Sequence, residues 1–132
     1  MKLDENNYVE LAEEAIKKLK SQVNERNHRA LPVVTTSKIR NLLAMTAEIY
    51  NEVQNNPNER LSEEVKGRIN YLKIRVVYEA GREDSVKRFV KTASILEHLD
   101  EIKGSRKQYI LFSRYMEALV AYRKFLVEDK DA

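Results

Sequence analysis

Apolar residues recur at intervals of three and four along most of the chain, the spacing that lines one face of an α-helix. Tyr8, Leu11, Ala12, Ala15, Ile16 and Leu19 predict a first helix over roughly residues 5–22. The pattern lapses between Asn24 and Pro32, so a polar loop is expected near 24–34, its end Val33-Val34-Thr35 forming an extended arm. Thr35, Thr36 or Ser37 then offers the oxygen that caps a second helix. That helix carries Ile39, Leu42, Leu43, Thr46, Ile49, Tyr50 and Val53, and ends near Gln54. The cluster Asn55-Asn56-Pro57-Asn58 opens a second polar connector, near 55–61.

Ser62 caps a third helix, with Glu63 and Glu64 placed against the positive end of its dipole. This helix runs to Ala80, and Gly81 fits the left-handed terminating position. A fourth helix carries Val86, Phe89, Val90, Ala93, Leu96, Leu99 and Ile102 and closes at Gly104; Ser105 caps a fifth that reaches about Val127. No segment alternates with period two. The expected fold class is all-α: a compact bundle of about five helices in one domain over residues 1–132, with a short acidic tail at 128–132.

Two helices carry more than one apolar face when wound at about 100° per residue. In the third, Val65, Ile69, Leu72, Val76 and Ala80 form one stripe, and Tyr71, Ile74 and Tyr78 a second on nearly the opposite side. Arg68, Arg75 and Arg82 run along one flank between them, Lys66 and Lys73 along the other. Such a helix is either central in the bundle or covered by a partner, and the basic flanks favour the partner. The fifth helix is apolar around more than half its circumference, from Tyr109 and Phe112 to Phe125 and Leu126, and reads as the central core helix. Glu117 on it would need a partner if buried, and Arg114 is the nearest.

Composition agrees with a few long helices, since three glycines and two prolines cannot punctuate a many-stranded sheet. Without cysteine, the chain has no disulfide, Cys-based zinc site, iron–sulfur cluster or thiol nucleophile. The opening residues Met1–Asn7 lack the apolar stretch of a signal peptide, and no run approaches the ~18 apolar residues of a membrane span. A cytoplasmic protein is expected. Net charge is +3, but unevenly spread: residues 66–124 hold 14 basic against 7 acidic residues, whereas residues 1–65 hold 9 against 11. A basic region between acidic ends suits a surface that meets a polyanion.

No catalytic constellation emerges. His28 lies in a polar loop and His98 reads as a surface helix residue; neither has a second histidine at helical metal-ligand spacing. No metal, cofactor or catalytic residue is therefore expected, and Glu97, Asp100 and Glu101 read most simply as a solvated face. Phosphate contact has more support. Lys38 and Arg40 fall in the first turns of the second helix, where free amides also favour anions. Arg82, Lys87, Arg88 and Lys91 lead into the fourth. Tyr71 lies a turn from Arg68 and Arg75, an interleaving that serves base stacking as well as packing.

Three segments carry a resemblance: Thr35-Thr36-Ser37-Lys38-Ile39-Arg40-Asn41-Leu42-Leu43, then Tyr71-Leu72-Lys73-Ile74-Arg75-Val76-Val77-Tyr78-Glu79-Ala80-Gly81-Arg82-Glu83, and Tyr115-Met116-Glu117-Ala118-Leu119-Val120-Ala121-Tyr122-Arg123-Lys124-Phe125. In order and spacing, from about residue 8 to 126, the chain resembles the small subunit of type III-A CRISPR effector complexes, the Csm type. It departs at its end, where Leu-Val-Glu-Asp follows Phe125 in place of the glycines that close some members.

The resemblance implies a non-catalytic helical protein of the prokaryotic cytoplasm, acting in antiviral defence. Several copies would line a ribonucleoprotein filament beside backbone subunits that hold the guide RNA. Its implied partners are guide RNA, single-stranded target RNA, the backbone and large subunits, and further copies of itself. Cleavage would belong to other subunits. Lys38, Arg40, Arg75 and Arg82 become the main expected RNA contacts, followed by Lys73, Lys87 and Arg88. Tyr71, Ile74 and Tyr78 are the expected subunit interface, and Glu79 and Glu117 structural partners of arginine. The alternative reading is a helical protein–protein interaction module whose basic surface meets an acidic protein. An enzyme using the Glu97–Glu101 carboxylates is a third and weaker reading.

Overall fold

In the computed structural model, which describes residues 2–128, six helices follow one another: α1 (Tyr8–Ser21), α2 (Thr36–Gln54), α3 (Glu63–Arg82), α4 (Asp84–Thr92), α5 (Ile95–Asp100) and α6 (Arg106–Leu126). Among the described residues there is no strand, only isolated antiparallel bridges pairing Val23 with Ala30 and Arg60 with Ser105. The all-α expectation holds. No helix among the described residues is long and apolar enough to cross a membrane.

Local chemistry sets most boundaries. The side-chain oxygens of Thr35, Ser62 and Ser105 accept from the amides of Lys38, Val65 and Gln108 at 3.3, 3.2 and 3.2 Å, so three helices begin at their expected caps. The first begins later than expected. Asp4 accepts from the amides of Asn6 and Asn7 at 2.8 Å, and Asn7 accepts from the Asp4 amide at 2.8 Å, a side-chain-closed turn that competes with helix. Gly104 does not close α5 as expected: that helix ends at Asp100 with Glu101 as its C-cap, and Gly104 takes φ 74° in the turn that leads to α6. A Cβ there would stand 2.9 Å from the Arg60 guanidinium.

Two expectations about the middle of the chain fail. Gly81 does not terminate α3: it stays helical, and the chain leaves the helix at Glu83, in extended conformation with φ −134° and ψ 117°. The buried Glu79 carboxylate lies 3.4 Å from Arg75 and 3.5 Å from Arg82, so contacts one turn apart carry the helix past the glycine. The single fourth helix is also broken. Ser94 adopts φ 53°, ψ 41°, a left-handed conformation costing about 1–2 kcal/mol in an L-residue. The break frees the Ala93 carbonyl, which accepts a 2.8 Å hydrogen bond from the Tyr115 hydroxyl of α6. The chain then turns so that Ile95 and Leu99 reach the core.

α6 is the central helix, packed chiefly against α1 and α2. Tyr109, Phe112, Tyr115 and Leu119 are buried along it, and the Tyr109 hydroxyl donates to the Thr46 carbonyl at 2.8 Å. Burial raises both tyrosine hydroxyls well above the ordinary phenol range. The far end of α6 differs from expectation. Arg123 is buried, its Nε donating to the Val34 carbonyl at 2.8 Å, whereas Phe125 is 81% exposed. Two residues on a helix stand about 200° apart, so turning Arg123 onto the Val34 arm turns Phe125 out. Glu117 is exposed and forms no ion pair with Arg114 among the described residues, so it is no arginine partner.

His98 is the other correction. It is 6% exposed, not a surface residue, with its ring edge-on to Tyr115 at 4.9 Å and Nδ1 3.4 Å from Glu101. Burial outweighs the nearby Glu101 and Glu97 charges and lowers its pKa from the usual 6.5. The unfolded chain therefore binds more protons than the folded one once pH falls through about 6.5, and stability drops with it until the folded ring protonates. Urea midpoints at pH 7.5 and 5.5 should show this acid loss in the native chain and a smaller one in His98→Phe; equal losses would remove His98 as its source.

Candidate nucleic-acid interface

The expected basic residues do not form one continuous strip. Lys38, Arg82 and Arg88, from the first turn of α2, the last turn of α3 and the middle of α4, line a single cleft of about 440 Å³ with Pro32, Glu83, Asp84 and Ser85. Lys38 reaches Glu83 at 3.2 Å, and Arg88 donates to the Pro32 carbonyl at 2.9 Å. Both links are solvent-accessible, and an exposed ion pair contributes only about 0–1 kcal/mol, so an arriving anion can displace Glu83 at little cost. The Val34 arm, whose carbonyl accepts from Arg123, leads directly into α2 and so to Lys38 on the cleft wall.

Lys87 is exposed beside the cleft, one residue before Arg88, and makes no ion pair among the described residues. Arg40 is likewise exposed and unpaired among them, but residues two apart on a helix do not share a face, so it points away from Lys38. Arg75 and Lys73 stand apart. Lys73 pairs with Asp100 of α5 at 2.6 Å. Arg75 is half-buried against Glu79, as the expected arginine–glutamate partnership requires.

The third helix has two apolar faces, as its sequence predicts. Val65, Ile69, Leu72 and Val76 are buried, while Tyr71, Ile74, Val77 and Tyr78 are each more than half exposed. The apolar stripe and the basic flank are not separate surfaces. The guanidinium carbons of Arg75 and Arg82 lie 5.0 and 5.8 Å from the centre of the Tyr78 ring, within cation–π range. Further along, Arg68 binds Glu52 of α2 at 2.7 Å, an interaction that raises its pKa.

Sequence reasoning missed two contributors here. Ser85 lines the cleft and is buried, a position that nothing in its neighbourhood signals. Arg123 had a signal: Phe112, Met116, Leu119 and Arg123 follow the core spacing of four, three and four. Among the described residues, no group of three or more histidine or carboxylate side chains is placed to hold a metal ion.

Comparison with known proteins agrees with the resemblance in the sequence. The profile of the family described as Csm2 Type III-A matches residues 5–129. A curated protein of Streptococcus thermophilus named "CRISPR system Cms protein Csm2" is 42% identical over 123 residues, covering 93% of each chain. A protein of the same name from Mycobacterium tuberculosis (strain CDC 1551 / Oshkosh) is 46% identical over 93 residues, covering 70% of this chain and 75% of its own. Another, from Enterococcus italicus, is 39% identical over 94 residues, covering 70% and 67%. The chain belongs to the Csm2 family of small subunits of type III-A CRISPR complexes.

Proposed function

We propose that the chain is a non-catalytic subunit that lines the filament of a type III-A interference complex in the prokaryotic cytoplasm. It sits beside the backbone subunits and contacts the guide and target RNA backbone through basic side chains. The observation that carries this reading is the convergence of Lys38, Arg82 and Arg88 on one cleft, with Lys87 exposed beside it. Lys38 and Arg88 lie on separate helices and are held only by weak, exposed links, an arrangement that suits exchange of Glu83 for a phosphate oxygen. Arg40, Lys73 and Arg75 remain RNA contacts in this proposal, reaching the strand outside the cleft. Phosphate contacts carry no base information, so binding is indifferent to RNA sequence. Tyr71, Ile74 and Tyr78 meet neighbouring subunits.

The double variant Lys38→Glu/Arg88→Glu tests it in the reconstituted complex. Helicity should be unchanged, target-RNA capture about tenfold weaker, and the slope of log K against log salt shallower by about 1.4, for two lost single-strand phosphate contacts. Reversal of two exposed α1 lysines, Lys17→Glu/Lys20→Glu, is the charge-matched control and should leave capture unchanged. Equal losses in both variants, or none in either at low and high salt, would refute the cleft as the contact.

A further inference from the structure

Among the described residues, four buried side-chain atoms have no hydrogen-bond partner: an oxygen each of Gln22, Ser85 and Glu101, and Nδ1 of His98. Three of them belong to side chains already engaged. Gln22 holds the Thr92 hydroxyl through its own amide nitrogen at 3.0 Å, and His98 and Glu101 face each other at 3.4 Å. The Ser85 side chain has no such engagement, although the residue is only 7% exposed. A serine hydroxyl on a helix ordinarily finds a carbonyl three or four residues back. This one does not, and burying it unpartnered costs stability. It is also the one that lines the cleft between Lys38, Arg82 and Arg88.

Its place on the helix gives the hydroxyl company. Ser85 is the second residue of α4. Side chains on a helix lean toward its N-terminus, the end where the first amides have no carbonyl to bond. No side chain caps α4 there. Glu83 occupies the capping position, but glutamate is not among the residues that cap well, and its carboxylate turns instead to Lys38 at 3.2 Å. The start of α4 therefore brings a buried hydroxyl together with uncapped amides at the positive end of the helix dipole. They border a cleft in which three cations outnumber the carboxylates of Glu83 and Asp84.

Two of those cations are placed to join them. Arg88 follows Ser85 by three residues, on the same face of α4, and Lys38 approaches from α2. Both are held only by exposed links, to the Pro32 carbonyl and to Glu83. A phosphate group offers oxygens in several directions, so it can accept from the hydroxyl and amides on one side while the lysine and arginine meet its others.

We propose that the N-terminus of α4 is a seat for one phosphate group, whose oxygens accept from the Ser85 hydroxyl and the amides of Ser85 and Val86, with Lys38 and Arg88 balancing its charge. The seat deepens the role proposed above for the cleft and rests on that reading for its occupant, a phosphate within an RNA strand or at its end. Glu83 then keeps Lys38 engaged until the phosphate arrives.

Amide chemical shifts of the full chain test this at constant ionic strength. The probes are inorganic phosphate, a short uridine RNA ending in hydroxyls, and the same RNA with a 5′ phosphate. Saturable shifts should centre on the amides of Ser85 and Val86. Ser85→Ala should bind phosphate about fivefold more weakly, the worth of one hydrogen bond, without lowering thermal stability, because the lost hydroxyl has no partner in the free chain. Glu83→Gln should bind about threefold more tightly, as an exposed competing ion pair is removed. In the reconstituted complex Ser85→Ala should weaken target capture without changing the salt slope, since no charge is lost.

Shifts at Ser85 and Val86 with hydroxyl-ended RNA make a phosphate within the strand the occupant; shifts with the 5′-phosphorylated RNA alone make it the terminal one. Shifts spread over surface lysines, no saturation with any probe, or equal binding by Ser85→Ala overturns the seat. If Lys38→Glu/Arg88→Glu weakens capture while Ser85→Ala does not, the seat falls and the RNA contact of the cleft stands. If inorganic phosphate binds at Ser85 but neither RNA does and capture is unchanged, the seat stands and the RNA reading of the cleft falls.

Discussion

Replacing Arg123 with methionine should cost about 3 kcal/mol of folding stability, or roughly 10 °C of thermal midpoint for a domain of this size. The side chain is 3% exposed and its Nε donates to the Val34 carbonyl at 2.8 Å. Methionine keeps much of the volume and removes the donor, so the loss includes that of a charged hydrogen bond together with a buried carbonyl left unsatisfied. The damage should be directional. Val34 belongs to the arm that leads into α2, so amides of residues 33–38 should exchange faster while those in the middle of α3 keep their protection. A stability change below about 1 kcal/mol, or uniform loss of protection, would show that the arm is held by other contacts. Since Lys38 sits one turn beyond the arm, the variant should also weaken RNA capture without touching the cleft itself.

Tyr115→Ala should be at least as severe, about 4 kcal/mol, as expected for removing a fully buried aromatic ring. The ring is 2% exposed and packs edge-on against His98, and its hydroxyl holds the Ala93 carbonyl at the junction of α4 and α5. Tyr115→Phe separates the two contributions: it keeps the ring and should lose only about 1–2 kcal/mol. Denaturant unfolding of both variants checks the division. Near-equal losses would mean that the hydroxyl holds the junction and the ring adds little.

The helices that could be read from sequence are those governed by neighbours in the chain. Thr35, Ser62 and Ser105 each cap their helix through an amide three residues away, so composition and spacing locate three starts. The break at Ser94 leaves the Ala93 carbonyl to a hydroxyl 22 residues beyond it in sequence, on α6. Its apolar pattern through Ala93, Leu96 and Leu99 therefore reads as unbroken helix. Gly81 misleads for a different reason: its preference for a left-handed conformation competes with equally local contacts of the buried Glu79 to Arg75 and Arg82, one turn apart on the same helix, and the residue type alone does not show which prevails.

The candidate interface was legible in kind more than in arrangement. Seven-residue spacing correctly ranks Arg68, Arg75 and Arg82 along one flank of α3. It cannot show that Glu52 takes the first and Glu79 the other two, nor that Lys38, 44 residues before Arg82, meets it across a cleft. Charge on a helix face is set by sequence, but which charges stay available is set by tertiary partners.

Glu79 has a consequence for speed and selectivity as well as for charge. A surface arginine ordinarily sweeps through many rotamers, and a ligand that captures it must freeze them at a cost of about 0.5–1.5 kcal/mol per side chain. Here Arg75 and Arg82 are already leaned against one ring and one buried carboxylate. Much of that ordering is complete before any partner arrives, so the pair presents a rigid template, favouring an anion whose oxygens match its fixed geometry over one that merely carries the same charge.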